Sequence, residues 1–194
     1  MASSKIDISN SAILKVGGNR INSFNDNKVE AVVVNEFYER SVRWLFAQYY
    51  WGFASMTSKL ALVPTAPEFE YQYAFALPSD FIRVQRTFPN TNYKIVGDQL
   101  HTNEKEIGIK YTQRVDEVAF PIYFEQTMMY YLAEQITVPI TENTTKADSN
   151  FVKYIDHLKR AKSLDAQQHP QDGFDDFPLD DSRYGMGVNG MGRF

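Results

Sequence analysis

The chain has 194 residues, 43% of them hydrophobic and 14% aromatic, with a formal net charge of −4 and no cysteine. This length can bury a hydrophobic core without covalent cross-links, and the lack of cysteine excludes disulfides and thiolate catalysis. No run approaches the roughly 20 apolar residues of a membrane span, and we expect no secretory signal in the polar residues 1–10. The acidic balance, without a Lys/Arg cluster, argues against a protein that grips DNA tightly.

A first helix is expected from about residue 9 to residue 16. The Gly17-Gly18 pair ends it, because glycine readily adopts the left-handed conformation found at helix ends. Ser23 and Asp26 then offer side chains that can cap a second helix.

The second helix is expected from about residue 27 to residue 48. Apolar residues recur at helical spacing on one wide face, which includes Trp44 or Leu45. The solvated side carries two pairs of opposite charge at i,i+4 spacing, Glu36 with Arg40 and Glu39 with Arg43. Gly52 ends or interrupts this helix, and a short helical extension to residue 60 should follow.

The middle of the chain changes period. From residue 69 to residue 75, aromatic residues alternate with other residues, which is typical of a strand with one aromatic face. Gly97-Asp98 predicts a two-residue β-hairpin turn, and residues 107–111 alternate again. We expect a small antiparallel sheet of four or five strands here.

Helical spacing returns after Pro121, which suits the first turn of a helix, and this third helix should end at Pro139. A fourth helix follows, begun by a capping box at Thr145 and ended before Pro170. Residues 170–194 contain five Asp followed by a Gly-rich stretch and cannot form a core alone. Two interpretations stay open for them: a disordered tail, or a docking arm that orders on a partner. Their spaced apolar residues are Phe174, Phe177, Tyr184, Met186, Met191 and Phe194.

This order of elements predicts an α+β fold: an antiparallel four-helix bundle with an inserted small antiparallel β-sheet and an extended C-terminal arm. Residues 1–67 would form the N-terminal helical half of the bundle and residues 68–118 the inserted sheet. Residues 119–169 would form the C-terminal helical half, and residues 170–194 the acidic, Gly-rich docking arm. We expect this arrangement because helical periodicity occurs on both sides of the alternating segment.

The densest aromatic cluster, residues 49–53, admits two interpretations. Trp51 and Phe53 either pack in the core under the sheet or form a hot spot between subunits, where Trp and Tyr are enriched. Tyr71 and Tyr73 on the aromatic strand face the same alternative. We name these four residues, with the six spaced apolar residues of the arm, as candidate interaction residues.

A series of short motifs runs through residues 9–168 in one order. Its residues are Val16-Gly17 with Arg20-Ile21, Ser23 with Asp26, Trp51 with Phe53-Ala54, Tyr71 with Tyr73, Leu77-Pro78 with Asp80, Arg83-Val84, Val96-Gly97 with Leu100, Tyr111 with Arg114-Val115, Phe120-Pro121, and Leu132-Ala133 with Ile136. In this order and over this length, the series resembles the tail tubular protein A, or head-to-tail adaptor, family of short-tailed phages.

The resemblance implies a structural virion protein without enzymatic activity, cofactor or metal. It implies a homo-oligomeric ring, usually of twelve copies, beneath the portal protein. The ring presents a platform to the tail nozzle protein and lines a channel through which double-stranded DNA passes without tight binding. The implied location is the head–tail junction of the virion after synthesis in the host cytoplasm. The candidate interaction residues would then contact neighbouring subunits or the portal.

Two other functions stay open. A tail-associated polysaccharide hydrolase would use a carboxylate among Glu68, Glu70 and Asp80, since a glycosidase needs two carboxylates a few ångströms apart. A nucleic-acid-binding packaging factor would need a basic groove beside its aromatic residues. We expect no catalytic residue and no metal site, because the three His residues lie on separate predicted elements.

Overall fold

The computed structural model describes residues 4–168. Its helices are α1 (Lys5–Val16), α2 (Val29–Ala47), α3 (Ile122–Thr141) and α4 (Thr144–Gln168). Between α2 and α3 lie the strands β1 (Ser55–Lys59), β2 (Ala61–Leu62), β3 (Tyr73–Ala76), β4 (Phe81–Phe88), β5 (Tyr93–Val96), β6 (Gln99–Thr102) and β7 (Gly108–Gln113). One-turn 3-10 helices at Gly52–Ala54 and Glu117–Ala119 join the helices to the strands.

The expected four-helix bundle with a small inserted sheet is wrong. The described residues form an α+β mixture of four helices and two antiparallel sheets. In a four-helix bundle the helices surround a shared core. Here α3 is central instead: it packs against α1, α2 and α4, whereas α1 and α2 contact each other at few positions and α4 packs mainly on α3.

The strands form a three-stranded sheet in the order β1-β7-β4 and a four-stranded sheet in the order β2-β3-β6-β5. The strand β1 occupies the segment where a helical extension to residue 60 was predicted, and β2 follows it directly, so that extension is wrong. The aromatic strand is also shorter than predicted. Glu70 has a φ of 69°, a left-handed conformation that interrupts an extended strand, and β3 begins only at Tyr73. The predicted turn at Gly97-Asp98 is confirmed, with Val96 opposite Gln99.

Two clusters of buried hydrophobic side chains make up the core. One is formed by the helices and the segments next to them, and includes Trp51. The other lies between the two sheets, and includes Phe75 and Leu100 from one sheet with Ile109 and Tyr111 from the other. The two sheets therefore pack face to face.

The ends of α1 are set by local sequence. Gly17 adopts a φ of 82° and stops the helix, as predicted. The helix starts earlier than predicted, because Ser4 and Asp7 form a capping box in which each side chain bonds the other's backbone N–H.

The ends of α3 and α4 differ from the prediction. Pro139 lies inside the last turn of α3 rather than ending it. Asn143 takes the capping role predicted for Thr145, since its Oδ1 accepts the backbone N–H of Lys146 at 2.9 Å.

An arginine on β4 joins the sheets to the helices. The Arg83 guanidinium donates to the Ala47 carbonyl at the end of α2, at 3.0 Å, and to the Tyr50 hydroxyl at 2.8 Å. The carbonyls at a helix C-terminus carry partial negative charge, so a cation here satisfies the helix end and positions the sheet.

Candidate interaction surface

Trp51 lies in the core. Its side chain is 0% exposed, and its ring packs edge-to-face on Phe124 and Tyr49 with centroids 5.0 and 5.1 Å away. The indole Nε1 donates to the Leu45 carbonyl at 2.9 Å, so the buried polar atom has a partner. Phe53 is partly buried against the same cluster. In this conformation Trp51 has no surface to offer a second subunit, which favours the core interpretation.

Asp165 fixes the end of α4 beside Trp51, and sequence reasoning missed it. Its carboxylate is 1% exposed and accepts the Gly52 backbone N–H and the Tyr123 hydroxyl, each at 2.9 Å. Burial, and then the hydrogen bond to Asp165, raise the pKa of Tyr123. Asp165 continues the buried stripe of Leu158 and Ala161 at helical spacing, and this was the signal available in the sequence.

The other tryptophan, Trp44, lies on the surface. Its side chain is 51% exposed on α2, whereas the adjacent Leu45 is 0% exposed, which settles the alternative between them. The Trp44 indole also lies within hydrogen-bonding reach of Tyr154 of α4. Burial raises the pKa of Tyr154, and the hydrogen bond from Trp44 opposes that rise.

Two further aromatic rings adjoin Tyr154, one partly buried and one exposed. Tyr131 of α3 stacks at a tilt on Tyr154 with centroids 4.8 Å apart, and Phe151, 49% exposed, lies 6.1 Å from Tyr154. We call this area the Trp44 surface: Trp44 and Phe151 are its half-exposed residues, and they adjoin the partly buried Tyr131 and the 4% exposed Tyr154. Three helices contribute to it, so tertiary packing assembles it from residues distant in sequence.

Charged residues of α2 flank the Trp44 surface. Arg40 pairs with Glu36 at 3.1 Å, and Arg43 pairs with Glu39 at 3.4 Å, both predicted from their i,i+4 spacing. Exposed aromatic side chains bordered by ion pairs are typical of a protein–protein contact, with an apolar centre and a polar rim.

The strand residues Tyr71 and Tyr73 lie apart from the Trp44 surface. Tyr73 is partly buried against the cluster between the sheets, and Tyr71 precedes β3. The prediction of an interface there stays a prediction. The six arm residues, Phe174, Phe177, Tyr184, Met186, Met191 and Phe194, lie outside the described residues.

The carboxylates considered for hydrolysis have different surroundings. Glu70 is exposed and pairs with Lys94 at 2.7 Å, Asp80 accepts the Tyr111 hydroxyl at 3.2 Å, and Glu68 is exposed. Within residues 4–168, no group of three or more His, Asp or Glu side chains is arranged to hold a metal ion.

An imidazole, an aromatic ring and an ammonium stack across three helices. His157 of α4 stacks on Tyr130 of α3 with centroids 4.4 Å apart. The Lys15 ammonium of α1 lies 4.4 Å from the centroid of the Tyr130 ring. Lys15 also donates to the Tyr130 hydroxyl at 3.1 Å. Burial lowers the pKa of His157, with a smaller contribution from Arg160 and Lys15 and an opposing one from Asp156.

Comparison with protein-family models and with curated protein sequences finds no match to this chain. None of the described helices combines the length and hydropathy that a membrane span requires. The Trp44 surface and the ordered motifs of the sequence are therefore the features of this chain that bear on its function.

Proposed function

We propose that this chain is a structural subunit of the head-to-tail adaptor ring of a short-tailed phage. The ring joins the portal protein to the tail nozzle protein and surrounds the DNA channel. The observation that carries the proposal is the Trp44 surface, where half-exposed Trp44 and Phe151 lie beside Tyr131 and Tyr154. The ordered motif series supports the family.

The exposed aromatic area favours contact with a second protein. Half-exposed Trp44 and Phe151, which both adjoin Tyr154, keep apolar surface in water, and covering it with a second protein is favourable by roughly 25 cal/mol per Å². Trp and Tyr are also the residues that most often dominate binding energy. This composition fits assembly better than catalysis.

A second exposed apolar group lies near the start of the same helix. Val29 and Val32 are each 65% exposed. They lie roughly 20 Å from Trp44 along α2, at 1.5 Å per residue. Two separate apolar areas on one subunit suit a heterologous contact, in which one area of a copy binds the other area of the next, and repetition of this contact closes a ring.

The charge balance fits a channel that lets DNA slide. The formal net charge is −4. Phosphate contacts from Lys and Arg dominate DNA affinity. A subunit without a Lys/Arg cluster therefore binds passing DNA weakly, and we expect no salt-sensitive complex with duplex DNA.

The test is native mass spectrometry of the full-length protein, alone and mixed with the portal protein of the same genome. We expect a ring-sized complex in the mixture. Trp44→Ser should abolish that complex while the circular dichroism spectrum stays unchanged. Val118→Ser is the matched control, because Val118 is 75% exposed and lies outside the Trp44 surface.

Two results contradict the proposal. One is a wild-type chain that stays monomeric with the portal, and the other is a Trp44→Ser chain that assembles as well as wild type. In either case, turnover of a surface polysaccharide would favour the hydrolase. Salt-sensitive DNA binding would favour the packaging factor.

A further inference from the structure

The loop between β2 and β3 presents Phe69 to solvent. Its side chain is 79% exposed, the highest value among the exposed large hydrophobic residues of the described chain. The next residue, Glu70, has a φ of 69°, and its carboxylate pairs with Lys94 of β5 at 2.7 Å. The Tyr71 backbone N–H donates to the Phe69 carbonyl at 2.8 Å. Because these bonds already order the loop backbone, binding through the ring costs little further backbone entropy.

This loop lies at the outer face of the four-stranded sheet. Leu100 of β6 points into the cluster between the two sheets. The next residue, His101, is opposite Lys94 in the strand register, so the Lys94 side chain points away from that cluster. Since Glu70 pairs with Lys94, the adjacent Phe69 lies near the outer face of this sheet.

The outer face of the three-stranded sheet carries a shallow hollow of about 430 Å³. Ile109 of β7 points into the cluster between the sheets, so the preceding residue, Gly108, lies on the outer face. Gly108 has no side chain to fill the hollow, and Phe88 and Pro89 contribute apolar walls. A cavity of roughly 150 Å³ can already bind a benzene ring. The hollow therefore has room for one phenylalanine side chain.

Two cations next to the hollow are not neutralised by ion pairs. Lys110 lies two residues after Gly108 on the same face of β7, and Arg86 of β4 is opposite Lys110. Within residues 4–168, neither forms an ion pair. Lys59 at the rim differs, since it pairs with Glu106 at 2.7 Å. The hollow thus suits an apolar side chain that has a carboxylate close to it.

Phe69 has such a carboxylate next to it. Glu68 is exposed and, in the described part of the chain, forms no ion pair. Adjacent Cα atoms are about 3.8 Å apart, and residues two apart on a strand are separated by roughly 6.6 Å. When the ring of Phe69 lies above Gly108, the Glu68 carboxylate is therefore within reach of Lys110. The charges of the ring segment and of the hollow are complementary.

We propose that Phe69 of one copy of this chain binds in the hollow above Gly108 of a second copy. Glu68 of the first copy then faces Lys110 and Arg86 of the second. The ring and the hollow lie on outer faces of different sheets, and these sheets pack face to face, so in this conformation each is available to another copy. The contact is heterologous: each copy offers its ring to one neighbour and its hollow to another.

This contact goes beyond the adaptor role, because it needs neither the portal nor the nozzle. It uses the sheets, whereas the Trp44 surface lies on the helices. Self-association of the isolated chain tests the contact of Phe69, and complex formation with the portal tests the adaptor role. Either proposal can therefore fail without the other.

The first test is sedimentation velocity of the full-length chain, without portal, over a concentration series up to its solubility limit. We expect reversible association of the wild type. Phe69→Ser should raise the dissociation constant at least about tenfold, as expected for loss of a dominant contact. Val118→Ser, which removes a similarly exposed apolar side chain elsewhere, should leave it unchanged. A wild type that stays monomeric throughout, or a Phe69→Ser chain that associates as wild type does, would overturn the proposal.

A mixture of two variants tests the pairing of ring and hollow directly. Gly108→Leu fills the hollow, and the position tolerates a side chain, because a Cβ there would meet the Ser58 carbonyl oxygen at 3.6 Å and Phe88 at 3.8 Å. This variant keeps the ring, and Phe69→Ser keeps the hollow. At concentrations where each alone is monomeric, the mixture should form a dimer with the affinity of wild type and stop at two copies. A mixture that stays monomeric would overturn the pairing.

Charge reversal tests the orientation of the contact. Lys110→Glu should raise the dissociation constant about threefold, a size typical of one exposed charge pair. Adding Glu68→Lys to the same chain should recover part of the loss. Lys153→Glu, at an exposed cation on α4, should have no effect. A double variant that associates more weakly than the Lys110→Glu chain would refute the placement of Glu68 against Lys110.

Discussion

Substitution of Trp51 by Ala should destabilise the fold severely, whereas the same substitution of Trp44 should not. Trp51 is 0% exposed and touches Phe124 and Tyr49, so Trp51→Ala leaves a large cavity. Replacement of a buried Trp by Ala costs about 3–5 kcal/mol. Loss of the donor to the Leu45 carbonyl contributes about 1 kcal/mol of this, the net value of a typical hydrogen bond. For half-exposed Trp44, we expect less than about 1 kcal/mol.

The assay is urea unfolding followed by far-ultraviolet circular dichroism. With a slope of about 2 kcal/mol per molar urea, the midpoint of Trp51→Ala should fall by roughly 1.5–2.5 M. The chain contains two tryptophans, so Trp44→Phe leaves Trp51 as the sole indole fluorophore, and its emission should be that of a buried ring. A Trp51→Ala midpoint within experimental error of the Trp44→Ala midpoint would refute the assignment of Trp51 to the core.

The remaining predictions concern α4. Asp165→Ala leaves the Gly52 N–H and the Tyr123 hydroxyl without their acceptor, so it should cost about 1–3 kcal/mol, measured by urea unfolding; an unchanged midpoint would contradict this role. His157 has a lowered pKa in the folded chain, so the unfolded chain takes up its proton more readily. The contribution of neutral His157 to stability is therefore complete above about pH 6.5 and is lost as the pH falls below that value. Melting temperatures from pH 7.5 to 5 should decline more steeply for wild type than for His157→Gln, and equal slopes would contradict the prediction.

Signals that act over a few residues led to correct predictions. The stop of α1 at Gly17 and the hairpin at Gly97-Asp98 need only the backbone freedom of glycine, which is independent of the rest of the fold. The i,i+4 ion pairs of α2 likewise depend on helix geometry alone. The four helices lie near the predicted segments for the same reason.

Strand pairing was harder to predict, because it depends on partners distant in sequence. The polar segment Ser55–Lys59 has no strong strand pattern, yet it becomes β1 by pairing with β7, whose residues follow about fifty positions later. Pairing of this kind produced two sheets where the alternating pattern predicted one.

The two tryptophans show what the sequence by itself determined and what only the tertiary structure decided. The sequence determined that aromatic residues would cluster at residues 49–53 and that apolar residues would share one wide face of the second helix, because both statements concern neighbours along the chain. Which tryptophan is buried depends on the position of α3, which packs Phe124 against Trp51 and leaves Trp44 at the edge of the helical contact. Burial is a property of contacts between elements, so the Trp44 surface and the Asp165 network emerge only when the helices and sheets are assembled.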